Sequence, residues 1–470
     1  MITQVNGSQR TFREFIQAKS QHAPDSGFEP IFIPDCMFDF QKYACEWQIR
    51  KGRSALLAAC GLGKTLMQLV WAENVIRHTR RLRDNRPAII FAPLAVAAQT
   101  VAEAKKFGIE AEVSRDGKPR KNITVTNYEQ QHKFNPEDYC AVVGDELSCI
   151  KAFDGKRRKQ VTRFLSKFHY RLGATATPAP NDYIELGTLS EALGYLTQDE
   201  MLGMFFRSSD KKRHSLFKEG DFWNRAKYFF RPHAETSFWQ WFCSLALAFR
   251  NPEDLGFDGS KFVLPPLIMN QYEIETKFRY PGELFPRIAT TLAEQKVERK
   301  KTINERCAKI VELVNHPEQS LIWCQYNDEG DLLEKMIPGA VQVAGCNSDE
   351  EKEERFLAFA NGEIKKLVTK PKIGAWGLNF QRCGHQTYFP SHSFEQVHQG
   401  ISRSLRFGRV GPVRVDIVAT EGEAGVMANL NKKKAKADEM FTKLVAMMRQ
   451  GRNVIRDDIY TKEMEMPRWA

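Results

Sequence analysis

Over most of its length the chain alternates between short apolar runs and longer stretches with helical spacing. From Phe38 to about Leu196 the runs are Ser54–Ala59, Ala88–Ala92, Ile123–Thr126, Cys140–Gly144 and Arg171–Thr175. The alternation resumes at about Arg299, with Ser320–Gln325, Val341–Ala344, Lys366–Thr369, Thr387–Phe389 and Val413–Ala419. Short continuous apolar runs between helical patterns predict parallel strands buried on both faces. Between the two sets, Thr197 to about Glu275 is rich in aromatic and basic residues and has no clean period. The pattern therefore predicts an α/β protein of two lobes with a helical insertion between them. The expected division is an N-terminal extension 1–37, a first lobe 38–196, the insertion 197–275, a second lobe 276–430, and a C-terminal helix and tail 431–470.

Composition changes this picture little. Hydrophobic residues make up 42% and charged residues 27%, as in ordinary globular proteins. The net charge of +11 favours an acidic partner such as nucleic acid. The 10 cysteines are scattered singly, with no C-x-x-C pair and no zinc spacing, so reduced, mostly buried thiols in a cytoplasmic setting are expected. Met1–Phe15 has no apolar core of a secretory leader. No apolar run approaches the ~18 residues of a membrane span, so no membrane partner is expected. The runs Lys156–Lys159 and Lys432–Lys436 read as solvated helix faces.

Chemistry gathers at the predicted strand ends. The first strand runs into Ala58-Ala59-Cys60-Gly61-Leu62-Gly63-Lys64-Thr65, and a helical pattern follows from Leu66 to about His78. Strand, glycine turn and helix in that order cradle a nucleoside triphosphate. Gly61 and Gly63 let backbone N–H groups approach the phosphates, Lys64 reaches the β- and γ-phosphates, and the Thr65 hydroxyl ligates Mg²⁺. The general pattern has Gly where this chain has Ala58. A later strand ends in Asp145-Glu146. Asp145 can hold Mg²⁺ and Glu146 can deprotonate an attacking water, although alone such a pair would more often open a helix. Gly173–Pro178 ends the next strand, where small hydroxyl residues can relay the state of the carboxylates or simply cap a turn.

In the second lobe Gln399, Arg403 and Arg406 fall at i, i+4 and i+7 on one helix face, with Val397, Ile401 and Leu405 on the other. Arginines aimed at a γ-phosphate stabilise transition-state charge, an effect worth roughly 10³–10⁵ in rate. Supplied from a second lobe, they make hydrolysis depend on lobe closure.

As an ordered set these segments resemble the Swi/Snf-like branch of superfamily 2 helicases and translocases, and most of all its compact bacteriophage DEAD/DEAH-type members. The resemblance spans Phe38 to Ala419 and implies two tandem RecA-like lobes, ATP and Mg²⁺ as cofactors, and DNA-dependent ATP hydrolysis. Phe38-Asp39-Phe40-Gln41 with Trp47 resembles an adenine-reading element, which implies that Gln41 contacts adenine. The family's own phosphate loop begins with Ala, as here. Asp145-Glu146-Leu147-Ser148 with Ile150-Lys151 is similar to the acidic motif, Gly173–Pro178 with Asn181 to the coupling motif, and Gln399, Arg403, Arg406 and Phe407-Gly408 to the arginine motif. Leu147-Ser148 replaces a frequent Ala-His, Arg409 stands where Gln is common, and Lys370 and Lys372 fall in a segment often richer in Ser and Thr.

By the same resemblance, nucleic acid crosses both lobes, touching Pro93, Thr126 and Asn127 of the first and Gln325, Lys370, Lys372 and Asn379 of the second. Sequence-independent backbone contacts of this kind bind with strong salt dependence. DNA is favoured over RNA, and a monomer in the cytoplasm is expected, that of a bacterial host if the chain is phage-encoded, with phage replication or recombination proteins as partners. Translocation on duplex DNA without strand separation, and an RNA helicase, are the alternatives. A binding module with a degenerate ATPase is opposed by the intact Lys64, Asp145, Glu146 and Arg406, and a P-loop kinase or other small-molecule NTPase by the second lobe that carries Gln399, Arg403 and Arg406. In the insertion, 205–231 interleaves basic residues such as Arg207, Lys211, Arg225 and Arg231 with Phe217, Trp223 and Phe229. These aromatics either stack bases or form a small core; Trp239, Trp241 and Phe242 read as core.

Overall fold

A computed structural model describes residues 25–93, 96–148, 155–177, 183–208, 228–275, 292–375, 378–390 and 393–457. The expectations for Ile150, Lys151, Pro178, Asn181 and 209–227 lie outside them. The ten predicted strands all form, each within two residues of its expected limits. In the first lobe these are β1 (Arg53–Ala58), β2 (Ala88–Ala92), β4 (Ile123–Asn127), β5 (Ala141–Gly144) and β6 (Tyr170–Thr175), with a short β3 (Ala111–Val113) added. β7 (Phe206–Ser208) and β8 (Tyr228–Phe230) pair antiparallel on their own, and β9 (Ala246–Phe249) returns to the lobe. The first sheet is parallel throughout, in the order β3-β4-β2-β5-β6-β1-β9. Leu56, Leu57, Ile89, Ile90, Val142 and Val143 are wholly buried, as unbroken apolar runs require when helices cover both faces.

The second sheet holds β10 (Leu267–Ile274), β11 (Ser320–Trp323), β12 (Ala340–Val343), β13 (Lys366–Thr369), β14 (His385–Tyr388) and β15 (Val413–Thr420). It too is parallel, in the order β10-β15-β14-β11-β13-β12. Both β9 and β10 come from the stretch expected to be a helical insertion, which thus supplies a strand to each lobe. β9 was hidden because Ala246 follows a helix directly, with no turn residue between. β10 is an edge strand whose residues are half or fully exposed, so it lacks the buried-strand signature. Trp239, Trp241 and Phe242 are buried, as read from the sequence. Phe230 stacks on Phe206 at 4.5 Å as part of that core, whereas Phe229 is exposed.

The helices that matter to the site are α1 (Asp39–Lys51), α2 (Lys64–Arg81), α3 (Ala97–Lys106), α4 (Ala234–Leu245), α5 (Asp349–Asn361), α6 (Phe394–Ile401) and α7 (Ala424–Asp457). Residues before α1 already belong to the first lobe: the Phe28 ring stacks on His78 at 3.9 Å, and Asn74 Oδ1 accepts from the N–H groups of Ile31 and Phe32. Among the described residues no helix is long and apolar enough to cross a membrane.

The expected break at 430 is absent. α7 is one helix of 34 residues, about 51 Å long at 1.5 Å per residue. It begins in the second lobe, just after Glu423, whose carboxylate is buried in an ion pair with Arg299. It ends on the first lobe, where Met440, Phe441, Leu444, Val445 and Met448 join the core. Lys443 pairs with Glu235 at 3.3 Å and Arg449 with Asp254 at 3.0 Å along that seam. The lobes are therefore joined twice by continuous chain. Leu444→Ala should cost roughly 2–5 kcal/mol, the range for a deleted buried side chain, read as a lower midpoint in chemical denaturation.

Candidate nucleotide site

All strands of both sheets run parallel, so the loops at their carboxyl ends share one rim per lobe, where ligands bind in open α/β sheets. β1 ends at Ala58 and α2 begins at Lys64. Between them Gly61 (φ 89°) and Gly63 (φ 80°) adopt the left-handed conformation, where any other L-residue is strained. The Lys64 ammonium donates to the carbonyls of Ala58 at 2.8 Å and Ala59 at 3.2 Å, which folds its side chain back over the loop.

β5 delivers Asp145 and Glu146 opposite that loop. Gln68, one turn along α2 from Lys64, donates from Nε2 to Asp145 Oδ1 at 2.6 Å, and the Tyr128 hydroxyl donates to the Asp145 carbonyl at 2.8 Å. Burial, and then the neighbouring Glu146 charge, push the Asp145 carboxyl up to about 6, against the pull of Gln68 and Lys64. Glu146 has φ 48°, a backbone conformation that costs on the order of 1–3 kcal/mol in a non-glycine residue. Its carboxylate accepts from the Thr175 hydroxyl at 3.1 Å. Two adjacent buried carboxylates suit a divalent cation. Among the described residues no cluster of three acidic, His or Cys ligands exists.

The raised Asp145 group makes a prediction. Its native value lies above its unfolded one, so the ionised form weighs against folding above about pH 6, and that penalty vanishes as pH falls toward 4. Without nucleotide or metal, Asp145→Asn should therefore melt higher than the parent chain at pH 7, with the difference shrinking below pH 6.

In the second lobe α6 ends at Ile401 and does not run on through Arg406 as the spacing predicts. The chain continues in tighter turns, with Arg403 N–H on the Gly400 carbonyl and Ser404 N–H on that of Ile401, both 3.1 Å. Such i→i+3 tightening is common where a helix runs out of partners. Gln399, Arg403 and Arg406 still converge. Arg403 donates to Gln399 Oε1 at 2.6 Å, to the Gln399 carbonyl at 2.8 Å and to the Leu378 carbonyl at 3.2 Å. Arg406 donates to the carbonyls of Leu378 at 2.7 Å and Ser402 at 3.1 Å. Burial and the Arg403 charge bring Arg406 down to about 10, still cationic at neutral pH.

A cavity of 180 Å³ joins these groups: Lys64, Thr65, Asp145 and Glu146 from the first lobe, Arg403 and Arg406 from the second. Gln99 and Glu103 of α3, with Val96 before it, line the same cavity and were missed from sequence. Their position directly after β2, at a parallel strand's carboxyl end, was the available signal. Gln399 lies behind the cavity as a bridge. Its amide donates to the Thr177 hydroxyl at 3.4 Å, and that hydroxyl donates to Glu395 at 3.1 Å, so both contacts cross between the lobes. Phe407 packs on Gly61 so closely that a Cβ there would lie 3.0 Å from its ring.

Gln41 is placed beside the loop rather than in the cavity. Its Nε2 donates to the Leu62 carbonyl at 3.0 Å and its Oε1 accepts from the Phe38 N–H at 3.1 Å, so both ends of the amide are engaged. The expected strand-track residues divide. Pro93 and Gln325 are half-buried, Lys372 and Asn379 are exposed, and Lys370 is held by Asn327. Thr126 and Asn127 are buried, and Asn127 Oδ1 caps the next turn by accepting from the Gln130 N–H at 3.0 Å. Their side chains are thus not available to a strand, because β4 is covered on both faces up to its last residue.

No family model matches the chain, and no curated protein sequence does either. Solved structures do. Dbp5 of S. cerevisiae, solved bound to RNA and ADP BeF3, superposes with a TM-score of 0.55 at 13% identity, covering 87% of this chain and 93% of that one. At this identity the likeness concerns the fold alone, two tandem RecA-like lobes each built on a parallel sheet.

Proposed function

We propose that the chain is an ATP- and Mg²⁺-dependent translocase or helicase acting on nucleic acid, DNA in preference to RNA. The observation that carries this reading is the meeting of Arg403 and Arg406 from one lobe with Lys64, Thr65, Asp145 and Glu146 from the other around a single cavity. Lys64 exchanges the Ala58 and Ala59 carbonyls for phosphate oxygens, and the loop N–H groups cradle the same phosphates. Thr65 and Asp145 would hold Mg²⁺, which would supply neutralisation of phosphate charge. Glu146, fixed by Thr175, takes a proton from the attacking water. Arg406 and Arg403 meet charge that develops on the γ-phosphate, so hydrolysis removes what draws the lobes together. The contacts of Thr177 with Glu395 and Gln399 carry that change between lobes.

Pro93, Gln325, Lys370 and Lys372 follow strand ends on the carboxyl rims, and with Asn379 they would touch the nucleic-acid backbone. The preference for DNA, the Swi/Snf-like branch and a phage origin rest on the ordered motifs alone. Steady-state ATPase assays without nucleic acid and with single-stranded DNA, duplex DNA or RNA test the reading. Strong stimulation by one of them names the track, and duplex-only stimulation would mean movement without unwinding. A high rate indifferent to all of them would sink the motor reading in favour of a small-molecule NTPase.

A further inference from the structure

A second cavity, of 740 Å³, opens on the opposite rim of the second sheet. Glu318 precedes β11, Lys365 precedes β13 and Arg382 precedes β14, so the cavity lies at the amino ends of the strands. Gln325 and Lys370 follow the carboxyl ends of β11 and β13, and a strand of this length separates the two rims by roughly 13 Å. Arg409 enters from the loop that leaves Arg406.

Three cations thus face one carboxylate. Among the described residues Lys365, Arg382 and Arg409 form no ion pair. Arg382 donates only to the Asn361 carbonyl at 3.2 Å, and Arg409 to the carbonyls of Gln381 and Pro412. The Arg409 Nε is buried without a partner. The backbone makes room for this guanidinium: a Cβ at Gly384 would sit 2.3 Å from Arg409 Nη2. Guanidinium groups with spare donors, a free ammonium and a polar cavity of this size suit an oxyanion with several acceptors. Nothing in the nucleotide cavity or the strand track uses them.

We propose that this cavity binds a phosphate group, separately from the nucleotide site. The group is either a phosphodiester of a nucleic-acid strand that has left the track or a free polyphosphate. The site does not depend on the motor reading, since its chemistry is complete within the second lobe.

The test uses the full chain saturated with ADP, so that the nucleotide cavity is filled. Pyrophosphate is titrated calorimetrically into the parent chain and into a Lys365→Glu/Arg382→Glu variant. Both residues are exposed and outside the proposed catalytic set, and a thermal melt checks folding. The parent chain should bind pyrophosphate one to one, and the variant at least roughly tenfold more weakly, as expected for lost charge-assisted contacts. Arg409→Gln, which keeps a donor and removes the charge, gives the same weakening if the double variant does not fold. Affinity for a single-stranded oligonucleotide is then followed against KCl. A log–log salt slope smaller by about one to two in the variant assigns the phosphodiester, and an unchanged slope with lost pyrophosphate binding assigns the free polyphosphate. No pyrophosphate binding by the parent chain, or equal binding by the variants, overturns the site. Failure to bind oligonucleotide at all would count against the motor and leave the pyrophosphate result standing.

Discussion

Glu146→Gln is expected to leave ATP bound and to lower turnover by roughly 10²–10⁴-fold, the usual contribution of a general base. The substitution is nearly isosteric. A glutamine oxygen can still accept from the Thr175 hydroxyl, now 3.1 Å from the carboxylate, so the local hydrogen-bond pattern survives. Backbone strain at φ 48° is the same for either residue. What disappears is the basic oxygen. The change also removes the charge that helps raise Asp145, so metal binding should not weaken. Lys64→Ala, in contrast, should lose binding as well as turnover, because Lys64 is the loop's own cation for the β- and γ-phosphates. The measurement is kcat beside the Kd of a fluorescent ATP analogue for each variant. Parent-level turnover by Glu146→Gln would assign water activation to another group.

The fold was legible where burial left one answer. β1, β2, β5 and β11 are covered on both faces, so each is an unbroken apolar run, and all lie where the pattern put them. β9 is as buried, yet Ala-Leu-Ala-Phe continues an aromatic helix without punctuation, so no local signal marks the change. β10 fails for the opposite reason, since an edge strand with exposed residues need not be apolar at all. α7 shows a third limit. The spacing of Met440, Leu444 and Met448 announces a helix with one apolar face, but not which lobe that face joins. Partner choice is a tertiary fact, set by the apolar surface that α4 and β9 leave open.

The site divides along the same line. Gly61, Gly63, Lys64, Asp145 and the arginines are dictated by phosphate and metal chemistry, and they stand together around one cavity. Thr126 and Asn127 are expected on the track only through the family resemblance, but the structure uses Asn127 as a cap and leaves Thr126 inside. Gln99 and Glu103 belong to no phosphate or metal pattern. They reach the cavity only because α3 starts beside it, and Glu103 is an acidic group facing the arginines.

Arg406→Ala should lower turnover by about 10³-fold or more while nucleotide stays bound, the magnitude expected of an arginine that acts on transition-state charge. Arg403 and Arg406 line the same cavity but are not equivalent. All three nitrogens of the Arg403 guanidinium donate, to Gln399 and the Leu378 carbonyl, and Nη2 also reaches toward the Cys60 sulfur at 3.9 Å, so it braces the turn against the phosphate loop. Arg403→Ala would strip these acceptors and cost stability together with rate. Arg406 donates through Nε and Nη2 only, which leaves Nη1 for a ligand. Its loss also strips the Leu378 and Ser402 carbonyls of a donor, so the melting midpoint should fall somewhat, but less than for Arg403→Ala, and the larger effect should appear in kcat. Arg406→Lys should recover little, because an ammonium cannot reproduce the planar fork. Single-turnover hydrolysis, nucleotide affinity and thermal midpoint, taken on the three variants, separate the roles. Unchanged turnover in Arg406→Ala, with loss only in Arg403→Ala, would exchange them. A chain in which neither mattered would hydrolyse ATP without the second lobe, and lobe closure could then no longer drive the reaction.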